Sequence, residues 1–226
     1  MKVAGKRRQF SKELERIIRD LKEKRPSLYL HSCCGPCSSA ILDYLGPFFD
    51  ITVFFDNPNI VPEAEFDKRL AYQEKVIAHL SRDYGIKLEV GTYDVDRFNQ
   101  AVVGYTHLGE GSERCFHCYA FRLRAAAEAA KAAGADYFAS TLSISPYKNA
   151  EKINEIGEQI AEEVGISHLP NDFKKGGGYQ KSIQFCKAED IYRQSYCGCP
   201  YSYREWQDRL AAKEAQVGLA EQAEED

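Results

Sequence analysis

Apolar positions along this chain follow two alternating spacings. Leu14, Ile17, Ile18 and Leu21 fall on one helical stripe between Ser11 and Lys24. Leu28-Tyr29-Leu30-His31 then reads as a short strand, and Ser38 to Leu45 as a helix stopped by Gly46-Pro47. Ile51-Thr52-Val53-Phe54-Phe55 is a buried-type strand, followed by a long helical stretch from Pro62 to Tyr84 with Gly85 as its stop. Lys87 to Val90 reads as a third strand. An Ala-rich helix is predicted from Ser112 to Ala133, a strand from Asp136 to Ser140, and a helix from Ser145-Pro146 to Val164. Ile166 to Leu169 closes the strand series. A short helix is predicted near Lys187–Tyr192, after the flexible Gly176-Gly177-Gly178.

Strands that alternate with helices imply an α/β fold: a parallel sheet flanked by helices, within a single domain. In such sheets ligands sit at the carboxyl ends of the strands. Cys33-Cys34 directly follows the first strand, Asp56 the second, and Thr141-Leu142-Ser143 the strand near Phe138. The candidate chemistry therefore falls on one edge.

The length of 226 residues suits one such domain, and 44% apolar residues permit a sizeable core. The formal charge of −4 is unevenly spread. Residues 1–26 form a basic head, which is compatible with nucleic acid, and residues 205–226 an acidic tail. No apolar core follows the basic start, so no secretory signal is read, and no run approaches the roughly 18–20 apolar residues of a membrane span. A cytoplasmic protein with no membrane partner is expected. Its eight cysteines would then lie in a reducing compartment, where metal binding or redox catalysis explains them better than stable disulfides.

Seven of the eight cysteines fall into three tight groups: Cys33, Cys34 and Cys37; Cys115 and Cys118; Cys197 and Cys199. Cys186 stands alone. Cys115 and Cys118 are one turn apart at a predicted helix start, where unpaired N–H groups favour thiolate. With Cys33 and Cys34 they make a four-thiolate site suited to zinc or to an iron–sulfur cluster. Surplus thiols beside the site favour redox work over a closed structural zinc. Cys197-Gly198-Cys199 can close only a small, strained ring, which makes it either a labile redox-active pair or two further metal ligands. Cys34-Gly35-Pro36-Cys37 also spells the dithiol motif of thioredoxins. Against that reading, the chain is much longer than a thioredoxin domain and Cys33 stands where an aromatic residue usually precedes the motif. A zinc-stabilised RNA-binding module is the third reading.

Six ordered stretches together resemble one family. They are Leu30 to Cys37, Asp56 to Ile60, Glu110 to Cys118, Ser140 to Lys148, Asn171 to Lys175, and Tyr192 to Cys199. This set is similar to epoxyqueuosine reductase of the QueH type, over residues 27–204, leaving the head and the tail outside. The resemblance implies a fold like the adenine-nucleotide α-hydrolase (PP-loop-like) sandwich, with Cys33-Cys34-Gly35-Pro36-Cys37 where a phosphate-binding turn would lie. It implies reduction of epoxyqueuosine to queuosine at the wobble position of tRNA, with an unidentified electron donor. It implies a 4Fe-4S cluster on Cys33, Cys34, Cys115 and Cys118, and a redox-active pair at Cys197 and Cys199. An additional mononuclear iron is also implied, for which Cys197 and Cys199 would be ligands. The roles of Cys37 and Cys186 stay open. Candidate proton donors are Asp56, Asp172 and Tyr192. Lys174, Lys175, Lys181, Lys187 and Arg193, interleaved with Phe173, Tyr179 and Tyr192, form a candidate tRNA-contacting stretch.

Overall fold

Five short segments are assembled by a computed structural model into one sheet. The structure describes residues 8–224, with side chains through residue 216. The strands are β1 (Ser27–His31), β2 (Asp50–Phe55), β3 (Lys87–Val90), β4 (Tyr137–Ser140) and β5 (Ser167–His168). All pair in parallel, in the order β3-β2-β1-β4-β5. The helices are α1 (Phe10–Asp20), α2 (Gly35–Leu45), α3 (Glu63–Tyr84), α4 (Val95–Val102), α5 (Glu113–Ala132), α6 (Ala150–Val164), α7 (Gly178–Ala188) and α8 (Pro200–Glu224).

The period-two alternation of the strands separates two cores. Leu28 and Leu30 of β1 and Ile51 and Val53 of β2 face α1, α2, α3 and α7, meeting Leu14, Leu42 and Val76. Tyr29, Phe54 and Phe138 face the other way, toward Leu123, Ala126, Ala127 and Ala130 of α5 and Ile153 and Ile160 of α6. Full burial of a residue such as Leu30 or Val53 stabilises by about 1.5–3 kcal/mol. The small side chains of α5 let it lie close to both the sheet and α6. Among the described residues, no helix is long and apolar enough to cross a membrane.

Strand order decides where a site can form. From β1 the chain moves outward through β2 to β3, then returns past β1 to β4. The reversal places a crevice between the loops leaving β1 and β4, the position where doubly wound sheets bind ligands. The β1 loop is Ser32-Cys33-Cys34, and the β4 loop runs from Thr141 to Asn149.

Four local expectations need correction. The helix expected from Ser145 begins at Ala150, because Asn149 accepts from the Lys152 N–H and caps it there. Before it lie a 3₁₀ turn (Thr141–Ile144) and an extended Ser145, the conformation a following proline favours. Helix α4, capped by Asp94, was not read from the pattern. Helix α7 runs from Gly178 to Ala188, ending just after Lys187 instead of starting there, and α2 opens at Gly35, three residues before Ser38. Helix α8 also runs through most of the acidic 205–226 stretch. Residues 1–7 of the basic head lie outside the described residues.

Candidate active site

The first thiol group is built at the end of β1. The Ser32 N–H donates to Phe54 O at 3.0 Å, and Asn57 Nδ2 donates to Ser32 O at 2.7 Å. Cys34 is extended (φ −176°, ψ 153°), and the helix starts at the next residue. Gly35 is required there: a Cβ would stand 2.5 Å from the Tyr72 carbonyl oxygen of α3. This early start puts Cys37 on the first turn of α2, directed back at the loop. The Sγ atoms stand 3.8 Å apart for Cys33–Cys34, 3.7 Å for Cys33–Cys37 and 2.6 Å for Cys34–Cys37. Hydrogen bonds from Cys34 and Cys37 hold Cys33 well below the usual thiol range. Burial, followed by the bond to Cys33, pushes Cys34 well above it, and the bond to Cys33 pushes Cys37 up to about 12. One thiolate is thus shared among three sulfurs. Gln194 Nε2 adds a donor 3.1 Å from Cys34 Sγ.

The second group comes from two distant segments. Cys115 and Cys118 lie on the first turns of α5, and Cys197 and Cys199 on the loop before α8. All four line a small cavity of about 20 Å³. Burial pushes Cys118 up to about 12 and also raises Cys115 and Cys199. The Gly111 N–H donates to Cys115 Sγ, and Lys148 Nζ to Cys197 Sγ at 3.4 Å. The loop is clamped from α3. Buried Arg69, paired with Glu65 at 2.7 Å, donates to Cys197 O (2.9 Å) and Tyr196 O (3.0 Å). The Val61 N–H donates to Gly198 O, and Tyr196 Oη to Val61 O.

A larger cavity of about 420 Å³ adjoins the small one, and Cys33, Cys37 and Cys197 line it. Glu110, Arg122, Lys148 and Cys197 line both. Arg122 is held rigidly: Nε donates to His31 Nε2 (3.2 Å) and Nη2 to Asn57 Oδ1 (2.7 Å). Burial, with Arg122 beside it, lowers the His31 pKa to about 3, so the ring is neutral, and the Nδ1 proton is assigned to the Ser140 hydroxyl contact at 2.9 Å. Burial opposes charge on Lys148, but Cys197, Tyr119 and Cys33 outweigh it and raise its pKa. Buried Arg122 and half-buried Lys148 therefore stand between the thiol groups.

The residues expected from the sequence divide into two sets. Cys33, Cys37, Cys115, Cys118, Cys197 and Cys199 reach the cavities, and Cys34 lies directly behind Cys33. Cys186 is packed in the core against α2 and α3. Asp56 is buried with Oδ2 unpartnered, Arg97 3.9 Å from Oδ1, and a pKa raised by burial. It lines neither cavity. Asp172 pairs with Lys174, and Tyr192 Oη donates to Glu65, so both are committed elsewhere. The basic stretch also breaks up. Lys174 Nζ donates to Ser143 O and Lys148 O, Phe173 is buried, and Lys175 and Lys181 line a separate pocket; only Tyr179 and Arg193 reach the thiol cavity. Arg122, Lys148, Arg69 and Gln194 were not singled out. Arg122 carried a signal, lying four residues after Cys118 and seven after Cys115 on one helix face.

Cys33, Cys34 and Cys37, with ligand atoms within 4.8 Å of one another, form a soft donor set that could hold a metal, and the cations beside them would offset the thiolate charge. Comparison with known proteins identifies the family. The family model described as Epoxyqueuosine reductase QueH matches residues 28–205. A protein named Epoxyqueuosine reductase QueH from Streptococcus pyogenes serotype M1 is 40% identical over 180 residues, covering 79% of this chain and 71% of that protein. One of the same name from Thermotoga maritima is 38% identical over 190 residues, covering 82% and 94%. Among solved structures, a predicted subunit of tRNA methyltransferase from Methanocaldococcus jannaschii aligns with a TM-score of 0.44 at 12% identity, covering 85% of this chain and 90% of that one. The family match and the thiol site it spans lead to one conclusion: this chain belongs to the epoxyqueuosine reductase QueH family.

Proposed function

We propose that this protein is a cytoplasmic oxidoreductase that reduces the epoxide of epoxyqueuosine at the wobble position of tRNA, the last step of queuosine biosynthesis. The observation that carries this reading is the convergence of thiols from three distant segments on two adjoining cavities, in a chain of the QueH family. The balance is simple: the epoxide takes two electrons and two protons and leaves an alkene and water. The electrons come from a donor outside the chain.

Cys33, Cys34, Cys115 and Cys118 would hold a 4Fe-4S cluster, and Cys197 and Cys199 would act as a redox-active pair or hold an additional iron. When bound, the cluster supplies single electrons and the second iron a Lewis acid. The chain's own residues do the rest. Lys148 orients Cys197 through its 3.4 Å contact. Arg122 and Lys148 hold positive charge where the epoxide oxygen gains electron density. Asp56, buried with Oδ2 unpartnered but lining neither cavity, is proposed to hold a proton that reaches the site indirectly. The Cys34–Cys37 approach of 2.6 Å favours a second reading, a thioredoxin-like dithiol. The burial of Cys34 and its raised pKa oppose that reading, because an attacking thiol must be exposed and ionised.

Anaerobic purification with iron, acid-labile sulfide and zinc analysis tests the assignment. About four irons and four sulfides per chain, lost in Cys118→Ser, are expected, with conversion of epoxyqueuosine-containing tRNA. Zinc alone, or turnover without metal, would overturn the cluster reading. Asp56→Asn should retain iron and lose turnover. Unchanged turnover would remove Asp56 from the mechanism.

A further inference from the structure

Trp206 is the only tryptophan of the chain, and it lines the larger cavity from the first turns of α8. Its ring lies 5.4 Å from Tyr196 at 24°, and 5.7 Å from Tyr203 at 26°. The two tyrosines are themselves 5.1 Å apart. Rings on opposite faces of an indole would stand about 10 Å apart, twice a stacking distance. Both tyrosines therefore back the same face of Trp206, and the other face is left to the cavity. The backing is stiff. Buried Arg69 lies over Tyr196 at 5.4 Å, and Tyr196 Oη donates to Val61 O at 2.6 Å.

Cations surround this face. Arg209 is three residues on from Trp206, on the same side of α8, and it lines the cavity with Arg193, Arg122 and Lys148. Glu110 is the only carboxylate there among the described residues. Arg193 and Arg209 are exposed, whereas Arg122 is buried near the thiols, so the cavity runs from a cationic rim to the sulfur groups. A flat aromatic face beside exposed arginines is the chemistry that recognises an unstacked base and its phosphate. An epoxide-bearing ring at the thiols would not by itself occupy that face.

We infer that the free face of Trp206 is a stacking shelf for one base next to the reacting nucleotide, with Arg193 and Arg209 on the adjoining phosphates. The inference rests on the tRNA reading above. It makes Trp206 a binding residue that positions the loop, separate from the redox chemistry.

Because Trp206 is the sole tryptophan, its emission reports on the shelf directly. An unmodified anticodon stem-loop RNA is titrated into the full chain, with fluorescence and gel mobility followed in parallel. Saturable quenching over the same RNA range as the mobility shift is expected. Trp206→Leu should weaken binding about tenfold or more, and Trp206→Phe should keep most of the affinity. If the RNA binds without altering the emission, or Trp206→Leu binds as tightly as the parent, the aromatic cluster only anchors α8 and the shelf is overturned while the tRNA reading stands. If the parent chain binds neither the stem-loop nor whole tRNA, both readings fall.

Discussion

Two cysteine loops face each other across the same cavities, yet they are held by opposite means. The Cys33–Cys34–Cys37 turn is mostly local: a strand, one extended residue and a helix start bring three sulfurs together within five residues. The Cys197-Gly198-Cys199 loop has no flanking strand; Ser202 on the first turn of α8 holds its Cys199 end locally. The carbonyls of Tyr196, Cys197 and Gly198 are gripped by Arg69 and Val61, more than 120 residues earlier, and Cys197 Sγ by Lys148. A site needing exact sulfur placement can be assembled from a locally determined half and a remotely determined half. The remote half should be the more fragile and the more mobile, as suits a pair that changes redox state or ligation.

The largest break in this comparison should come from Arg69→Met. Glu65 would be left buried without its cation, keeping only the Tyr192 hydroxyl, and two carbonyls would lose their donor. A loss of about 3–5 kcal/mol is expected in denaturant unfolding. In the folded population, mass-spectrometric thiol labelling should rise at Cys197 and Cys199 while Cys33 and Cys34 stay protected. Equal labelling of both loops would end the division. Gly198→Ala comes next. Gly198 sits at φ +123°, and a Cβ there would stand 3.0 Å from Arg69 Nη1 and 3.1 Å from Ile60 Cγ1. About 2–3 kcal/mol should be lost, with the same selective exposure.

The local half offers the reverse tests. Gln73, fully buried on α3, accepts from Ser32 Oγ (2.7 Å) and Ser38 Oγ (3.0 Å). Gln73→Ala should cost about 1–2 kcal/mol and leave the sulfur group intact, read as an unchanged labelling pattern beside a lowered unfolding midpoint. Ser182→Ala should have the smallest effect. It removes a single hydroxyl donor from α7 to Pro36 O, worth about 1 kcal/mol by thermal or denaturant unfolding. A loss from Ser182→Ala as large as that from Arg69→Met would mean that the first turn, too, depends on distant support.

Local patterning made much of the architecture readable. The strands matched short apolar runs, and α3 and α5 matched long helical periods, because burial on a sheet face imposes period two and packing of a helix on it imposes a longer one. The places that misled were loops. Asn149, not Ser145, caps α6, and Gly35, packed against Tyr72 O, starts α2 early. That early start is why Cys37 joined its neighbours, which spacing alone left open. The basic stretch from Lys174 to Arg193 looked continuous in one dimension, but folding sent its charges to different places.

By itself, then, the order of residues determined a parallel α/β sheet, three clusters of thiols, and the place of the first cluster at the sheet's carboxyl edge, since these follow from local spacing and strand direction. The tertiary structure alone decided that β4 returns beside β1 and opens the crevice there. It also decided that Arg122 and Lys148 stand between the sulfur groups and that Arg69 holds the last cysteine loop. Those relations join residues 49 to 128 positions apart, and only the packing of helices on both faces of one sheet, with strand order setting which loops meet, brings them into contact.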